Sequence, residues 1–148
     1  MRRTKKNNGW ERGSTLVEFA IGATVFLTVM FAVLEFGRAL WVHNALADAA
    51  RRGVRYAVVH KTSDSEAVKN VVVYGDPAGG SSPVVDKLTT ANVSVTYSRF
   101  GMSDGTATVS INNYQFQFVL PMVSTSISMP SYSTTLTAES AGLIPADL

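Results

Sequence analysis

The chain has 148 residues, which suits one domain, or one domain with an appendage. Hydrophobic residues make up 46% and charged residues 16%, against about 25% charged in typical soluble domains. This excludes intrinsic disorder and points to apolar surface that faces lipid or a partner. A net charge of +2 invites a nucleic-acid reading, but its distribution removes it: five of the thirteen basic residues (Arg2, Arg3, Lys5, Lys6, Arg12) stand in the first twelve positions, against Glu11. From Ser14 onward eight basic and ten acidic residues leave −2. With no cysteine, disulfides, thiolate metal sites and cysteine nucleophiles are excluded together. His43 and His60 alone give little material for a metal site or a triad.

After the basic head, Leu16–Leu34 carries a single charge, Glu18, and thirteen of the sixteen residues from Phe19 to Leu34 are apolar. A membrane-spanning helix needs about 20 such residues. A cleaved secretory signal has a shorter apolar core of about 7–15 residues and a small-residue cleavage site; here the run leads into Glu35-Phe36-Gly37-Arg38. A buried helix of a soluble protein is the alternative, and the basic cluster directly upstream favours the membrane. The positive-inside rule keeps that cluster in the cytoplasm and exports the C-terminal portion, although Arg38, Arg51, Arg52 and Arg55 lie on the far side.

Glu18 is costly at the hydrocarbon edge unless it snorkels to the interface or finds a positive partner. A cut after Gly13 supplies one: Ser14 becomes the first residue with a free ammonium, and Glu18 becomes the fifth.

Gly13-Ser14-Thr15-Leu16-Val17-Glu18-Phe19, behind a basic leader and ahead of an apolar run, resembles a type IV prepilin processing site. Arg12 through Ala20, with Leu34-Glu35-Phe36-Gly37-Arg38 and Ala49-Ala50-Arg51-Arg52-Gly53-Val54-Arg55-Tyr56-Ala57, is more narrowly similar to the TadE-like pseudopilins of tight-adherence pili. The resemblance is specific over residues 12–58 and general in layout beyond. It implies cleavage between Gly13 and Ser14 by a membrane-embedded prepilin peptidase. Glu18 is implied to pair with the N-terminal ammonium of a neighbouring subunit and set axial register. The implied partners are that peptidase, other pilin subunits, an assembly ATPase, the inner-membrane assembly platform and the lipid bilayer, with no nucleic acid and no cofactor. Many relatives carry a proline within the apolar helix; this chain has Gly22-Ala23-Thr24 there.

Glu35 and Arg38, three apart, share a helical face and form either an ordinary surface pair or a contact to a partner at the membrane exit. Beyond them Phe36, Leu40, His43, Ala47, Ala50, Val54 and Ala57 recur at helical steps and predict an apolar stripe. Asp48 can pair with Arg52. If residues 14–58 form one helix, it is about 67 Å long at about 1.5 Å per residue, so its outer part must pack on something. His43 reads as a packed helix residue, and Arg51, Arg52 and Arg55 as a solvated face.

Ser63-Asp64-Ser65-Glu66 fits a capping box that opens a helix over about 64–73; the run Val71-Val72-Val73 leaves a strand as the alternative. Residues 75–83 are a loop on composition, with a short helical turn expected at Pro83–Leu88. Then the period becomes two. Val93, Val95 and Tyr97 form one apolar strand face; Ala107, Val109 and Ile111 a second; Tyr114, Phe116, Phe118 and Leu120 a third; Thr134, Leu136 and Ala138 a fourth. Asp104-Gly105 ends one turn, and Asn112-Asn113 suits a tight hairpin. Nineteen Ser or Thr within residues 89–140 read as a solvated sheet face.

No Gly-x-Ser-x-Gly elbow, His-Glu-x-x-His or EF-hand pattern occurs, so the expected role is assembly, not catalysis. The expected fold is α+β: a basic leader over 1–13, a helix over 14–60 that crosses the inner membrane at about 16–34, and an exported head over 61–148 with an antiparallel sheet. An uncleaved single-pass protein, whose head binds a ligand or scaffolds an envelope complex, is the rival reading.

Overall fold

The computed structural model describes residues 9–99, 105–119 and 125–137, with side chains from Gly13. The fold is α+β. Helix α1 runs over Gly9–Ala57. After a 3₁₀ turn at Thr62–Asp64 comes α2, Ser65–Tyr74. A second 3₁₀ turn, Thr90–Asn92, leads into β1 (Val93–Ser98), followed by β2 (Thr106–Ile111), β3 (Gln115–Gln117), β4 (Ser126–Ser128) and β5 (Tyr132–Thr137). Two compact units divide the chain, Met1–Gly37 and Arg38–Leu148.

In the first unit α1 presents its apolar side chains outward. Leu16, Phe19, Ile21, Phe26 and Val33 are all more than half exposed, and none of the apolar window that qualifies α1 as a membrane span is buried. Two hydroxyls within the apolar run bond back to the helix, Thr24 Oγ1 to the Ala20 carbonyl and Thr28 Oγ1 to the Thr24 carbonyl, each at 2.8 Å. Each hydroxyl thus carries its own hydrogen bond into lipid, where no water is present to supply one.

In the second unit the core gathers one face of α1, α2, the sheet and the turn around Val85 and Leu88. The α1 face is Val42, Leu46, Ala49, Ala50, Gly53, Val54, Ala57 and Val58. This is rotated from the stripe expected from the sequence: Phe36 and Leu40 are exposed, and so is His43. Ala50, Val54 and Ala57 are shared by both stripes. The rotation follows from size, because small side chains let the helix approach its neighbours. A Cβ on Gly53 would lie 2.3 Å from Val72 Cγ2 and 3.3 Å from Val109 Cγ1.

Residues 65–74 are helical despite the valine run. Three β-branched residues cost a few tenths of a kcal/mol each in helix propensity. Val71, Val72 and Val73 are all buried, and burying one such side chain contributes about 1.5–3 kcal/mol, so tertiary burial decides. Gly75, at φ 78°, ends the helix with its N–H on the Val71 carbonyl at 3.0 Å. The expected capping box does not form. Ser63 sits inside the 3₁₀ turn and donates to Asp64 Oδ1, and Glu66 accepts from Lys69 Nζ at 2.6 Å. A capping box closes Thr89–Asn92 instead. The helical turn expected at Pro83–Leu88 is also absent, because Lys87 takes φ 61° and the segment is a non-helical turn.

The sheet departs most from expectation. β2 is central, with β1 and β5 antiparallel on its two sides in the order β1-β2-β5. Both edges of β2 being occupied, the chain leaving Ile111 cannot fold back, and Asn112-Asn113 is no hairpin. Asn113 does take positive φ, 56°, but it directs the chain into a separate two-stranded sheet of β3 and β4, with Phe116 opposite Ile127. Asn92 holds this junction: its carbonyl accepts from Asn112 N–H at 2.8 Å, and its amide donates to the Asn112 and Asn113 carbonyls. The segment Ser126–Ser128, wholly exposed, carried no strand signal. Asp104, Leu120 and Ala138 lie outside the described residues. The solvent face of the three-stranded sheet is a hydroxyl array. Thr108 and Thr135 are linked at 2.8 Å, and Ser110 donates to Ser133 at 2.9 Å.

Overpacking a tight site costs about 1–3 kcal/mol, more than the ~1 kcal/mol that Gly→Ala returns in helix propensity. Gly53→Ala should therefore lower the melting temperature of the purified protein, whereas Gly22→Ala, with nothing within 4 Å of its Cβ, should not. An unchanged Gly53→Ala melt would contradict the close packing.

Candidate functional site

Two sets of residues carry functional interest, one in each unit. In the first, Gly13, Ser14, Val17, Glu18 and Ile21 border one shallow surface depression on α1. Their spacing explains this, since residues three, four, seven and eight apart share a helical face. Gly13, Ser14 and Glu18 are all exposed. The scissile position read from the sequence and the carboxylate read as its partner therefore stand on one accessible face.

In the second unit Arg38 is half-buried and holds β3. Its Cζ lies 4.2 Å from the centroid of the Phe116 ring, within the range of a cation–π contact, and its Nη2 donates to the Gln117 carbonyl. Phe116 itself is buried and meets Phe118 edge-on at 5.3 Å. Lys87 Nζ reaches the Gln117 side chain at Oε1, and Tyr114 Oη donates to the Asp86 carbonyl at 2.8 Å. Arg38, Lys87, Tyr114 and Gln117, with Trp41 and Val119, line a hollow of about 270 Å³. Glu35 is half-buried, at the end of the other unit. Arg38 thus has an intramolecular role that the Glu35–Arg38 reading did not include. Lys87, Gln117 and Trp41 were missed. A lysine that follows Asp86 in a turn and a glutamine in a three-residue strand leave no periodic signal; only the exposed Trp41, three residues past Arg38, offers one.

His43 lies on the α1 surface, where its Nδ1 is 2.8 Å from Tyr132 Oη and the rings meet edge-on. Asp48 and Arg52 form the expected pair at 2.6 Å. Among the described residues no group of three or more His, Asp or Glu could hold a metal ion.

Residues 13–55 match the family model described as TadE-like protein. The match includes the Gly13–Glu18 face and Arg38. Comparison with curated proteins and with solved structures finds no match. The resemblance carried by the N-terminal motif therefore holds over this segment. The chain carries a TadE-like segment, and this lies in a helix long and apolar enough to cross a membrane.

The tyrosines of the head give a pH signature. Burial raises the phenol of Tyr114 above its ordinary value, nearby Asp86 adds to this, and Arg38 opposes it. Burial also raises Tyr97, with Asp64 contributing, and Tyr132. A phenol raised in the folded state contributes stability that is complete below the unfolded value of about 10 and is lost as pH rises through the folded value. Base titration followed by phenolate absorbance should show a late-ionising group of tyrosines that titrates together with loss of the circular-dichroism signal of the head. Ionisation of all tyrosines near pH ~10 with the fold intact would contradict this.

Proposed function

We propose that this protein is a minor pilin or pseudopilin of a tight-adherence pilus system, processed by a prepilin peptidase between Gly13 and Ser14. It resides in the bacterial inner membrane as a single-pass protein with its N-terminus in the cytoplasm and its head exported. The observation that carries this reading is the placement of Gly13, Ser14 and Glu18 on one exposed face of α1, within the matched residues 13–55. The basic residues ahead of Gly13 supply the retained side of the orientation rule.

Cleavage removes five basic side chains and one acidic one, leaving a lone ammonium on Ser14. In a medium of low dielectric an ammonium and a carboxylate attract strongly, and each is too costly to leave alone. Glu18 of one subunit and Ser14 of its neighbour therefore favour one axial offset between packed helices. Assembly then needs no chemistry beyond the cut: the apolar side chains exchange lipid for each other, and the charge pair selects the register. The inner-membrane assembly platform and other pilin subunits are the partners in this step. The head, with its hydroxyl-rich face, is the part displayed or used to adhere, cap or secrete.

Intact mass of the protein extracted from membranes should lack residues 1–13 in cells with an active prepilin peptidase. A full-length N-terminus there favours the uncleaved single-pass reading. Glu18→Ala should leave cleavage intact and reduce incorporation into sheared filaments; equal incorporation would refute the register role.

A further inference from the structure

The hollow of about 270 Å³ is lined wholly by residues of the Arg38–Leu148 unit. Pockets for drug-sized ligands begin at about 300 Å³, so this one suits a single small ring. One wall is an indole, Trp41, 59% exposed. A second is the guanidinium of Arg38, held on the Phe116 ring and the Gln117 carbonyl. Lys87 donates to Gln117 Oε1, which uses one of its three donors and leaves both donors of the Gln117 amide nitrogen. Asp86 adds a carboxylate, on a turn fixed by Tyr114 Oη at the Asp86 carbonyl. Lys87 itself takes φ 61°, a region that glycine or asparagine enters with less strain. The backbone alone would favour glycine there; what lysine adds is an ammonium in the hollow.

We propose that this hollow binds an acidic sugar, a pyranose that carries a carboxylate, such as a hexuronate. The inference gives a ligand class to the head read above as adhesive and, in the cell, rests on that head being exported. Two cations, Arg38 and Lys87, against the carboxylate of Asp86 leave the hollow at +1, which one carboxylate neutralises. Lys87 takes that carboxylate in a charge-assisted hydrogen bond. Asp86 only accepts, so it needs a ligand that also donates, and a sugar hydroxyl does so. A second hydroxyl accepts from the Gln117 amide. The C–H face of a pyranose is apolar and slightly positive, and it stacks on the electron-rich face of the Trp41 indole. A phosphate dianion meets repulsion from Asp86 and gives it no donor. A simple carboxylate satisfies Lys87 and leaves Asp86 and Trp41 uncontacted.

The full-length protein carrying Trp10→Phe, so that Trp41 is its sole indole, tests this in micelles of a phosphocholine detergent that contains no sugar. Titration with methyl glucuronide or methyl galacturonide should change the Trp41 emission and saturate. The matching neutral glycoside should bind about tenfold more weakly, as expected for loss of one hydrogen bond to a charged group. Acetate should leave the emission unchanged at concentrations where the uronide saturates. Lys87→Gln should abolish the preference for uronide over neutral glycoside, and Lys87→Arg should keep it. No response to either uronide, equal binding of charged and neutral sugars, an equal response to acetate, or an unaltered preference in Lys87→Gln overturns the proposal. The purified protein reports on the hollow whether or not residues 1–13 are removed, and intact mass reports that removal, so failure of the site and failure of the pilin reading are separate results.

Discussion

One apolar helix has to bury its surface in two different media, and the rest of the molecule answers to that requirement. The stretch of α1 before Gly37 exposes large side chains on every side, which suits lipid or close packing against other apolar helices. Past Arg38 the same helix becomes one-sided, with Val42, Leu46, Ala49, Ala50, Gly53, Val54, Ala57 and Val58 on its buried face. A helix apolar all round is embedded; a helix with one apolar stripe packs on a core. The transition falls at Glu35-Phe36-Gly37-Arg38, where the first closely spaced charges after Glu18 occur.

The head follows from the small residues on that stripe. Gly53 brings the backbone of α1 within van der Waals reach of Val72 and Val109, so α1, α2 and β2 meet at one point. The three valines of α2 are then buried deeply enough to override their β preference. β2, pinned at the same point through Val109, becomes the central strand of its sheet. Its two neighbours offer six-residue ladders, and β3 is left to pair with the short β4 and to be held from outside by Arg38 over Phe116.

The TadE-like segment and the head divide the labour accordingly. Residues 13–55 carry the likeness to the TadE-like family and the apolar run long enough to cross a membrane. Beyond them the chain is a Ser/Thr-faced sheet and a small cation-lined hollow, features that the family match does not reach. Arg38 belongs to both: it falls within the matched segment, and it organises β3.

Local physics made much of this legible from residue order. The membrane-length apolar run, the Asp48–Arg52 pair, the helix at 65–74 and the alternating strands each depend on neighbours a few positions away, and spacing alone reports them. The strand order, the rotation of the α1 stripe and the Arg38–Phe116–Gln117–Lys87 cluster depend on residues up to 79 positions apart. No local period encodes them. Asn112-Asn113 marks the difference most plainly: its composition determined a positive-φ turn, but whether that turn made a hairpin was decided by β5, which had already taken the edge of β2. A strand has only two edges, and which partners fill them is settled by burial across the whole head.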